Sequence, residues 1–458
     1  MKAKRGFGSR FGYIMTLAGF CIGISNMWKF PYIVGANGGG AFLLIYIACA
    51  IFVGIPLFIL EQQLGRSSQL SGIAGMEVLA AGCGRSKRFW GACGWMGLIT
   101  VLIIAFYFWT ILGWNVGYFV KVISGSLYGL DNDEVVRTFT DFSGSGACVL
   151  YSAACALLVW LMLNTDIKKG VERLCSVALP MLIVMLIGLA VYSATLPGAS
   201  EGLKWYLIPH KEGFNFISAF QAAVVQVFFS VGIGMACAFV YGSYISRDSN
   251  LCGDACIAVG LDTLVATLAG LVVVPALFAF DIAPDSGPSL IFISLPRLFT
   301  AMGDIPGRVF GALFLAAVFL ACITSIVAVV EAAVANFNDK FGWSRKKSNT
   351  LTVLITFGVS VFVTLNQGSG VLNGIRILGL DLFNLFDTVA SAFGLTLTGL
   401  FELAFAVFCM GFAKFRQEAN RGAKGLRIWK GLKWHYNIVL PIILCFTFYC
   451  VLQMYGLV

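Results

Sequence analysis

Long apolar runs make up most of this chain, and they limit its possible folds more than any other feature. Runs of about 20 apolar residues are long enough to cross the hydrocarbon core of a bilayer as α-helices. Only 12% of the 458 residues are charged, and the mean hydropathy is +0.89. Soluble domains carry about twice that charged fraction. We therefore predict an all-α membrane protein in which one helical bundle occupies the whole chain.

The positions of the charged residues indicate how this bundle is oriented. The sequence predicts eleven spans, roughly at residues 10–34, 40–65, 89–124, 147–164, 173–196, 216–245, 258–281, 308–338, 350–366, 383–411 and 435–457. With the N-terminus in the cytoplasm, 23 of the 31 Lys and Arg residues fall at cytoplasmic ends and eight at external ends. This bias sets the orientation of membrane proteins. The net charge of +9 is thus a signal of topology and not of nucleic-acid binding.

Two of these spans are interrupted in the same way. Residues 19–26 in span 1 and 229–235 in span 6 contain glycine pairs beside polar residues at mid-membrane depth. Glycine weakens a helix because it gains more backbone freedom on unwinding than other residues do. Unwound backbone is too costly in lipid, so it must face protein or a water-filled site. The alternative is that these glycines only allow close packing between helices.

The spacing of the two interruptions favours broken helices. They lie five spans apart, which is the pattern of two five-helix repeats of inverted topology that each begin with a broken helix. We predict a single transmembrane domain over residues 1–458, with one repeat at about 10–196, a second at about 216–411 and span 11 at about 435–457.

Polar side chains occur at or near the predicted depth of these breaks. A broken helix offers free N–H groups that suit a carboxylate and free C=O groups that suit a sodium ion. The candidate side-chain ligands are Asn26, Ser230, Asp262, Thr324 and Ser325. The two hydroxyls of span 8 could instead bond back to their own helix. The carboxylate of span 7 could instead lie near the cytoplasmic end, where water would solvate it.

Two further acids, Glu61 and Glu402, also fall inside predicted spans. A carboxylate within a membrane is costly and usually functional. Each of these two could cap the freed N–H groups of a broken helix instead of binding an ion.

The sequence carries no motif of a catalytic site. It has no phosphate-binding loop, no zinc-ligand spacing and only two histidines, His210 and His435, both near predicted span ends. Its 14 cysteines lie mostly inside spans, and we expect them to be free, buried thiols. We therefore predict that the protein is not an enzyme.

Several longer motifs follow one another along the chain. They are Asn26-Met27-Trp28-Lys29-Phe30-Pro31-Tyr32, Asn37-Gly38-Gly39-Gly40-Ala41-Phe42, Phe228-Phe229-Ser230 with Gly232 and Gly234, Thr324-Ser325, Ser344-Arg345-Lys346 and Glu402-Leu403. Together they closely resemble the neurotransmitter:sodium symporters over essentially the whole chain. The resemblance implies a leucine-transporter-like fold and a sodium-coupled symporter that imports an amino acid by alternating access. Its eleven-span, bacterial type implies a monomer or loose homodimer in a bacterial inner membrane, in contact with lipid and with no nucleic-acid partner.

The resemblance also implies ion and substrate sites, residue by residue. One sodium site would use the Cys21 carbonyl, Asn26, Ser230 and Asp262, completed by the substrate carboxylate. A second sodium site would use backbone oxygens of Gly19, Ile22 and Ala321 with the hydroxyls of Thr324 and Ser325. The substrate pocket would be lined by Cys21, Gly23, Ile24, Ser25, Ile104, Phe108, Phe229, Ser230, Gly232, Met235, Ser325 and Val329.

Gates on both sides of the pocket are implied in the same way. The outer gate would consist of Lys29 and Asp387, with Phe229 as a lid. The inner gate would consist of Lys4 or Arg5 with Asp339, near Tyr244. Glu61 and Glu402 would support the broken helices.

The substrate class follows from Gly23 and the apolar lining. Amine-selective members carry an Asp at this position, so a glycine leaves room for the carboxylate of an α-amino acid. Gly232 and Met235 replace bulkier or more polar residues, and methionine adapts to varied shapes. We expect a neutral, hydrophobic side chain, with large or aromatic ones included. A sodium-responsive channel or receptor without net transport is the alternative function.

Five positions depart from the usual pattern. Asp262 stands where many members carry Asn, and chloride-dependent members carry Ser where this chain has Ala266, so we expect a fixed carboxylate to replace chloride. Lys29 replaces an Arg, which removes bidentate pairing at the gate. Phe108 replaces a Tyr whose hydroxyl touches the substrate carboxylate, and Ser25 replaces a glycine. Either Tyr107 or Ser25 compensates for the missing hydroxyl, or the substrate pose differs.

Overall fold

Long helices dominate the computed structural model, which describes residues 6–165, 168–209, 214–282 and 289–454. Within these ranges nine helices are long and apolar enough to cross a membrane. They are Gly40–Ser68, Lys87–Ser124, Gly146–Leu163, Gly170–Ala194, Leu251–Ala279, Asp304–Phe341, Arg345–Leu365, Leu382–Ala419 and Lys430–Gln453. The predicted spans 1 and 6 are absent from this set because neither is one continuous helix.

Several long helices extend beyond their predicted spans. Span 7 is predicted at 258–281 but begins at Leu251, and span 10 is predicted at 383–411 but continues to Ala419. The added turns carry charged residues such as Asp254 and Lys414. Hydropathy marks only the apolar middle of a helix, because charged turns can continue past the hydrocarbon core.

Span 1 is broken in its middle. Helix Arg10–Cys21 ends at Ile22 and Gly23, whose backbone is extended, and the span resumes as Ile24–Met27 and Lys29–Ala36. Two extended residues interrupt the i to i−4 hydrogen-bond pattern, which leaves carbonyl and N–H groups free for other partners. The break lies inside the predicted segment 19–26.

Span 6 is broken at the matching place. Helix Phe216–Val231 ends at Gly232, and a short helix resumes at Cys237–Ser243. Gly232 and Gly234 have φ of 70° and 79°, a region that L side chains rarely adopt. A Cβ on Gly232 would lie 2.1 Å from the ring of Phe20, so no side chain fits there. The prediction of two broken helices is confirmed.

Shorter elements join or interrupt the spans. The connecting helices are Gly72–Gly82, Asn132–Ser143, Ala199–Leu207 and Leu295–Ala301. A single 3₁₀ turn, Lys430–Leu432, precedes span 11 within the described ranges. π-helical turns occur at Ala50–Gly54, Lys168–Glu172, Leu290–Ser294, Thr388–Gly394, Phe405–Gly411 and His435–Val439. Such wide turns are found frequently at functional sites.

Burial separates central spans from peripheral ones. The apolar stretches of spans 3 and 8 are 72% and 78% buried, whereas those of spans 4, 5 and 11 are 33% buried. Apolar side chains on the outer spans are exposed, such as Leu150 and Val184. An all-round apolar surface of this kind is expected of helices that face lipid. Spans 3 and 8 therefore form the most buried part of the bundle.

Candidate functional site

A cluster of polar side chains joins the two breaks to span 7. The Asn26 amide Nδ2 donates to Asp262 Oδ1 at 2.8 Å and to the Asp262 carbonyl at 3.2 Å. The Ser230 hydroxyl lies 2.8 Å from both carboxylate oxygens of Asp262. All three side chains are buried, and Asp262 is 0% exposed. The alternative that water solvates this carboxylate is therefore wrong.

The cluster lacks a positive charge. No Lys, Arg or His side chain in the described ranges pairs with Asp262. A buried carboxylate without a compensating cation costs several kcal/mol, by general estimates. The surrounding oxygens belong to amide, hydroxyl and carboxylate groups, which are ligands for a hard monovalent cation. The geometry therefore favours a small cation at this place.

Around Asn26 the backbone of span 1 adds further contacts. The side-chain oxygen Oδ1 of Asn26 accepts from the Gly23 N–H at 3.2 Å and from the Ser25 hydroxyl at 3.3 Å. It also lies 3.3 Å from the Ser230 hydroxyl. The Cys21 thiol donates to the Val231 carbonyl at 3.6 Å, so the two breaks touch each other.

A second cluster lies between span 1 and span 8. The Ser325 hydroxyl lies 3.0 Å from the Ile22 carbonyl and 3.4 Å from that of Gly19. Thr324 donates back to the carbonyls of Leu320 and Ala321 at 3.0 and 3.1 Å. Thr324 therefore bonds back to its own helix, which is one of the predicted alternatives. Ser325 instead contacts the unwound backbone of span 1. The oxygens proposed for a second sodium site are brought together here.

The outer gate residues meet above the first cluster. Lys29 Nζ lies 3.5 Å from Asp387 Oδ2 and 4.3 Å from the centre of the Phe229 ring. The Tyr107 hydroxyl donates to Asp387 Oδ1 at 3.0 Å. A cavity of about 100 Å³ lies at this place, and its walls include Ile24, Phe108 and Phe229 in addition to the gate. The two residues predicted for the outer gate therefore contact each other, and their role as a gate stays a prediction.

We expect Asp387→Asn to lower the rate of amino acid uptake about threefold to tenfold, because it leaves the Lys29 ammonium without its anion. Initial rates in proteoliposomes measure the change. Lys29→Gln should cause a similar loss, and the double variant should lose less than the product of the two, since both substitutions break one contact. If the loss in the double variant equalled the product of the two single losses, the pairing of Lys29 with Asp387 would be contradicted.

The substrate-lining residues are only partly gathered in one cavity. Ile24, Phe108 and Phe229 line the outer cavity. Ser325 lies 3.2 Å from where a Cβ of Gly23 would be. Ile104, Met235 and Val329 are buried and do not line either of the two described cavities. Their place in a substrate pocket stays a prediction.

The end of the bundle where span 1 begins contains a larger cavity. A cavity of about 780 Å³, which we call the inner vestibule, is lined by residues that include Ser9, Tyr13, Tyr244, Asp254 and Asp339. Asp339 accepts from the Ser71 N–H at 2.9 Å. Lys4 and Arg5, the predicted cationic partners of the inner gate, lie outside the described residues.

One inner network was not found from the sequence. Glu331 of span 8 is 0% exposed and accepts two hydrogen bonds from Arg345, at 2.9 and 2.7 Å. The Tyr244 hydroxyl donates to the same carboxylate at 2.7 Å. An acid in the apolar run of span 8 is a signal that could have found it. The network ties the short helix of span 6 to spans 8 and 9.

A carboxylate from span 5 holds the inner end of span 1. Glu172 accepts from the Gly8 N–H at 2.6 Å and from the N–H and hydroxyl of Ser9, both at 3.1 Å. A Cβ on Gly12 would lie 2.0 Å from Glu172 Oε1, so the contact requires a glycine there. We call this contact the Glu172 clasp. Arg10 of the same end pairs with Asp254 of span 7 at 2.8 Å.

Glu61, one of the two remaining predicted acids, supports the break in span 6. Glu61 of span 2 is buried, and its Oε2 accepts from the Gly234 N–H at 3.1 Å. This is the capping role predicted for it. Glu402 is also buried and lies close enough to Glu61 to interact with it. Direct capping by Glu402 stays a prediction.

Comparisons of sequence place the chain among sodium-dependent transporters. The profile of the Sodium:neurotransmitter symporter family matches residues 4–134 and 132–457. The chain is 30% identical to an uncharacterized sodium-dependent transporter of Haemophilus influenzae, with 98% of both chains covered. It is 33% identical to the sodium-dependent transporter YhdH of Bacillus subtilis, with 84% and 83% covered. It is 26% identical to the human sodium- and chloride-dependent GABA transporter 2, with 96% and 79% covered.

Comparison of structures agrees with these relatives. The fold is similar to that of MhsT in its complex with L-phenylalanine, with a TM-score of 0.87 and 31% sequence identity. The match covers 98% of this chain and 100% of that one. The fold class predicted from the sequence is confirmed.

Proposed function

This chain belongs to the sodium:neurotransmitter symporter family, and from that premise we propose that it imports a neutral, hydrophobic α-amino acid together with sodium. It is a secondary transporter that crosses the membrane several times, and it is not an enzyme. Sodium moving down its gradient supplies the driving force, so no covalent step is needed. Residence in a bacterial inner membrane, with the N-terminus in the cytoplasm, as a monomer or loose homodimer, is part of the proposal.

The observation that carries this proposal is the buried Asp262 carboxylate between the two helix breaks. It lies within hydrogen-bond distance of Asn26 and Ser230 and has no cationic partner among the described residues. One sodium ion bound by Asn26, Ser230, Asp262 and the carbonyl of Cys21 would supply the missing charge. The carboxylate of the amino acid would complete the ion's ligands, so ion and substrate stabilise each other's binding.

A second sodium ion would bind between spans 1 and 8. Support comes from the carbonyls of Gly19 and Ile22, which converge on the Ser325 hydroxyl, with Thr324 beside it. The hydroxyl that now donates to these carbonyls can rotate and offer its lone pairs to the ion instead. The ion would hold the break of span 1 against span 8.

The hydrophobic character of the substrate follows from the residues at the break. The aromatic and aliphatic walls of Ile24, Phe108 and Phe229 favour an apolar side chain. MhsT, whose structure is similar, is solved with L-phenylalanine. A Cβ on Gly23 would lie only 3.2 Å from Ser325 Oγ, so a side chain at this position would crowd the break. A large or aromatic amino acid is therefore the proposed cargo.

Alternating access would move the substrate between the two gates. Lys29, Asp387 and Tyr107 close the outer side over Phe229, whereas the inner vestibule is wide. On the inner side Lys4 or Arg5 would pair with Asp339 until release. The two repeats, at about 10–196 and 216–411, would tilt relative to each other around the breaks.

The test is uptake into proteoliposomes with an inward sodium gradient, screened over the twenty amino acids. We expect accumulation of hydrophobic amino acids that disappears when potassium or choline replaces sodium. Asn26→Ala and Thr324→Ala should abolish it, because each removes a proposed sodium ligand. Sodium-dependent binding without accumulation would indicate a receptor, and substrate-gated current without uphill accumulation would indicate a channel.

Chloride should have no effect on this uptake. Asp262 already places a fixed negative charge beside the first sodium site, and Ala266 offers no hydroxyl to a chloride ion one helical turn later. Replacing chloride by gluconate on both sides of the vesicle membrane is expected to leave the initial rate unchanged within about twofold. A strict requirement for chloride would contradict the assignment of Asp262.

A further inference from the structure

Ser25 carries a buried hydroxyl at the break of span 1, next to the proposed first sodium site. Its side chain is 2% exposed, and its hydroxyl faces Asn26. We propose that this hydroxyl donates a hydrogen bond to the carboxylate of the transported amino acid, and that it is the side-chain donor that positions the substrate. This inference rests on the proposed function and deepens it.

The hydrogen bond that Ser25 makes with Asn26 is long. Asn26 Oδ1 lies 3.2 Å from the Gly23 N–H nitrogen and 3.3 Å from the hydroxyls of Ser25 and Ser230. Ser230 has a single proton, which its 2.8 Å contacts commit to Asp262, so Oδ1 accepts from Gly23 and Ser25. Hydroxyl hydrogen bonds are shorter, typically about 2.7–2.8 Å. The hydrogen bond from Ser25 to Asn26 is therefore weak, and a better acceptor would replace Asn26 as the partner of Ser25.

Sodium binding would release Ser25 from this partner. A cation at the first site takes a lone pair of Asn26 Oδ1, and Ser230 keeps its 2.8 Å contacts with Asp262. Ser25 then needs another acceptor within its buried surroundings. The substrate carboxylate, which lies on the same ion in the proposed function, is that acceptor. Hydrogen bonds to a carboxylate are roughly twice as strong as those between neutral groups.

Two of the other hydroxyls near the break are committed elsewhere. Tyr107 donates to Asp387 at 3.0 Å, which removes it as the compensating hydroxyl. Ser325 lies 3.0 Å from the Ile22 carbonyl. Phe108, on the cavity wall, has no hydroxyl at all. Tyr46 is the internal rival, because its buried hydroxyl lies beside Ser230 and Asp262 of the first cluster.

The test compares L-phenylalanine, which has a carboxylate, with L-phenylalaninol, which has an alcohol in its place. Uptake of L-phenylalanine, and its inhibition by L-phenylalaninol, are measured in proteoliposomes holding the full-length wild type, Ser25→Ala or Ser25→Gly. We expect both variants to raise the KM for L-phenylalanine about tenfold or more, the loss typical of a hydrogen bond to a charged group. Inhibition by L-phenylalaninol, which lacks the carboxylate, should change less than about twofold.

Several outcomes would overturn the assignment. They are an unchanged KM in folded Ser25→Ala, an equal weakening of acid and alcohol, or a loss selective for the acid in Tyr46→Phe instead. Thermal melting without substrate checks that each variant is folded, and the glycine variant removes the hydroxyl a second way. Absence of sodium-driven uptake by the wild type would overturn the proposed function as well, which separates the two failures.

Discussion

Asp262→Asn is expected to reduce sodium-driven amino acid uptake at least about 100-fold, the largest loss we expect from a single isosteric change. The side chain keeps its shape and its contacts with Asn26 and Ser230 but loses the negative charge. A buried cation that loses its only fixed counter-charge is destabilised by about 3–5 kcal/mol. Initial rates in proteoliposomes and the sodium concentration needed for half-maximal rate both measure the effect.

Asp133→Asn is the matched control for this experiment. Asp133 lies exposed on the helix Asn132–Ser143 and far from the breaks in sequence, so the same chemical change should leave uptake within about twofold of wild type. Unchanged sodium dependence in Asp262→Asn would show that Asp262 does not hold the ion, and the proposed first site would be wrong.

Gly234→Ala is expected to destabilise the fold or prevent it from forming. The residue has φ of 79°, and a Cβ there would lie 2.4 Å from the Leu395 carbonyl oxygen. A positive φ costs a side chain about 1–2 kcal/mol, and an overpacked position costs about 1–3 kcal/mol more. The substitution also disturbs the N–H that Glu61 accepts. Thermal melting in detergent and binding of L-phenylalanine with sodium measure the loss.

Gly188→Ala provides the comparison within the same chain. Gly188 lies in the regular helix Arg173–Ala194, with no atom within 4 Å of an added Cβ. We expect the melting temperature of the Gly188→Ala variant to stay the same as that of the wild type or to rise. Alanine stabilises a helix by about 1 kcal/mol relative to glycine. Equal behaviour of the two alanine variants would mean that the break in span 6 does not need its glycine.

The breaks themselves could be predicted from the sequence, but their three-dimensional partners could not. Glycine pairs at Gly19 and Gly23 and at Gly232 and Gly234 are local features, and backbone freedom is a local property. The Glu172 clasp joins residues 164 positions apart, so no periodicity reveals it. The depth of Asp262 was left open for a similar reason, because hydropathy averages over a window longer than one helical turn.

Hydroxyl roles were also undecided until distances were known. From the sequence, either Tyr107 or Ser25 replaces the hydroxyl that Phe108 lacks, or the substrate pose differs. Tyr107 is next to Phe108 in the sequence, and Ser25 lies in the break of span 1. Both side chains carry a hydroxyl that can donate a hydrogen bond. The contact of Tyr107 with Asp387 separates them, because a single phenol proton cannot serve the gate and the substrate together.

The Glu172 clasp links spans 1 and 5. Neither the order of the spans in the repeat nor their distance in the sequence predicts this contact. Swinging the inner end of span 1 outward must either drag the first turn of span 5 with it or break three hydrogen bonds, each worth roughly 1 kcal/mol. In the proposed transport cycle, the rate of substrate release at this end of the bundle would therefore depend on span 5. Substitutions at Glu172 would change turnover.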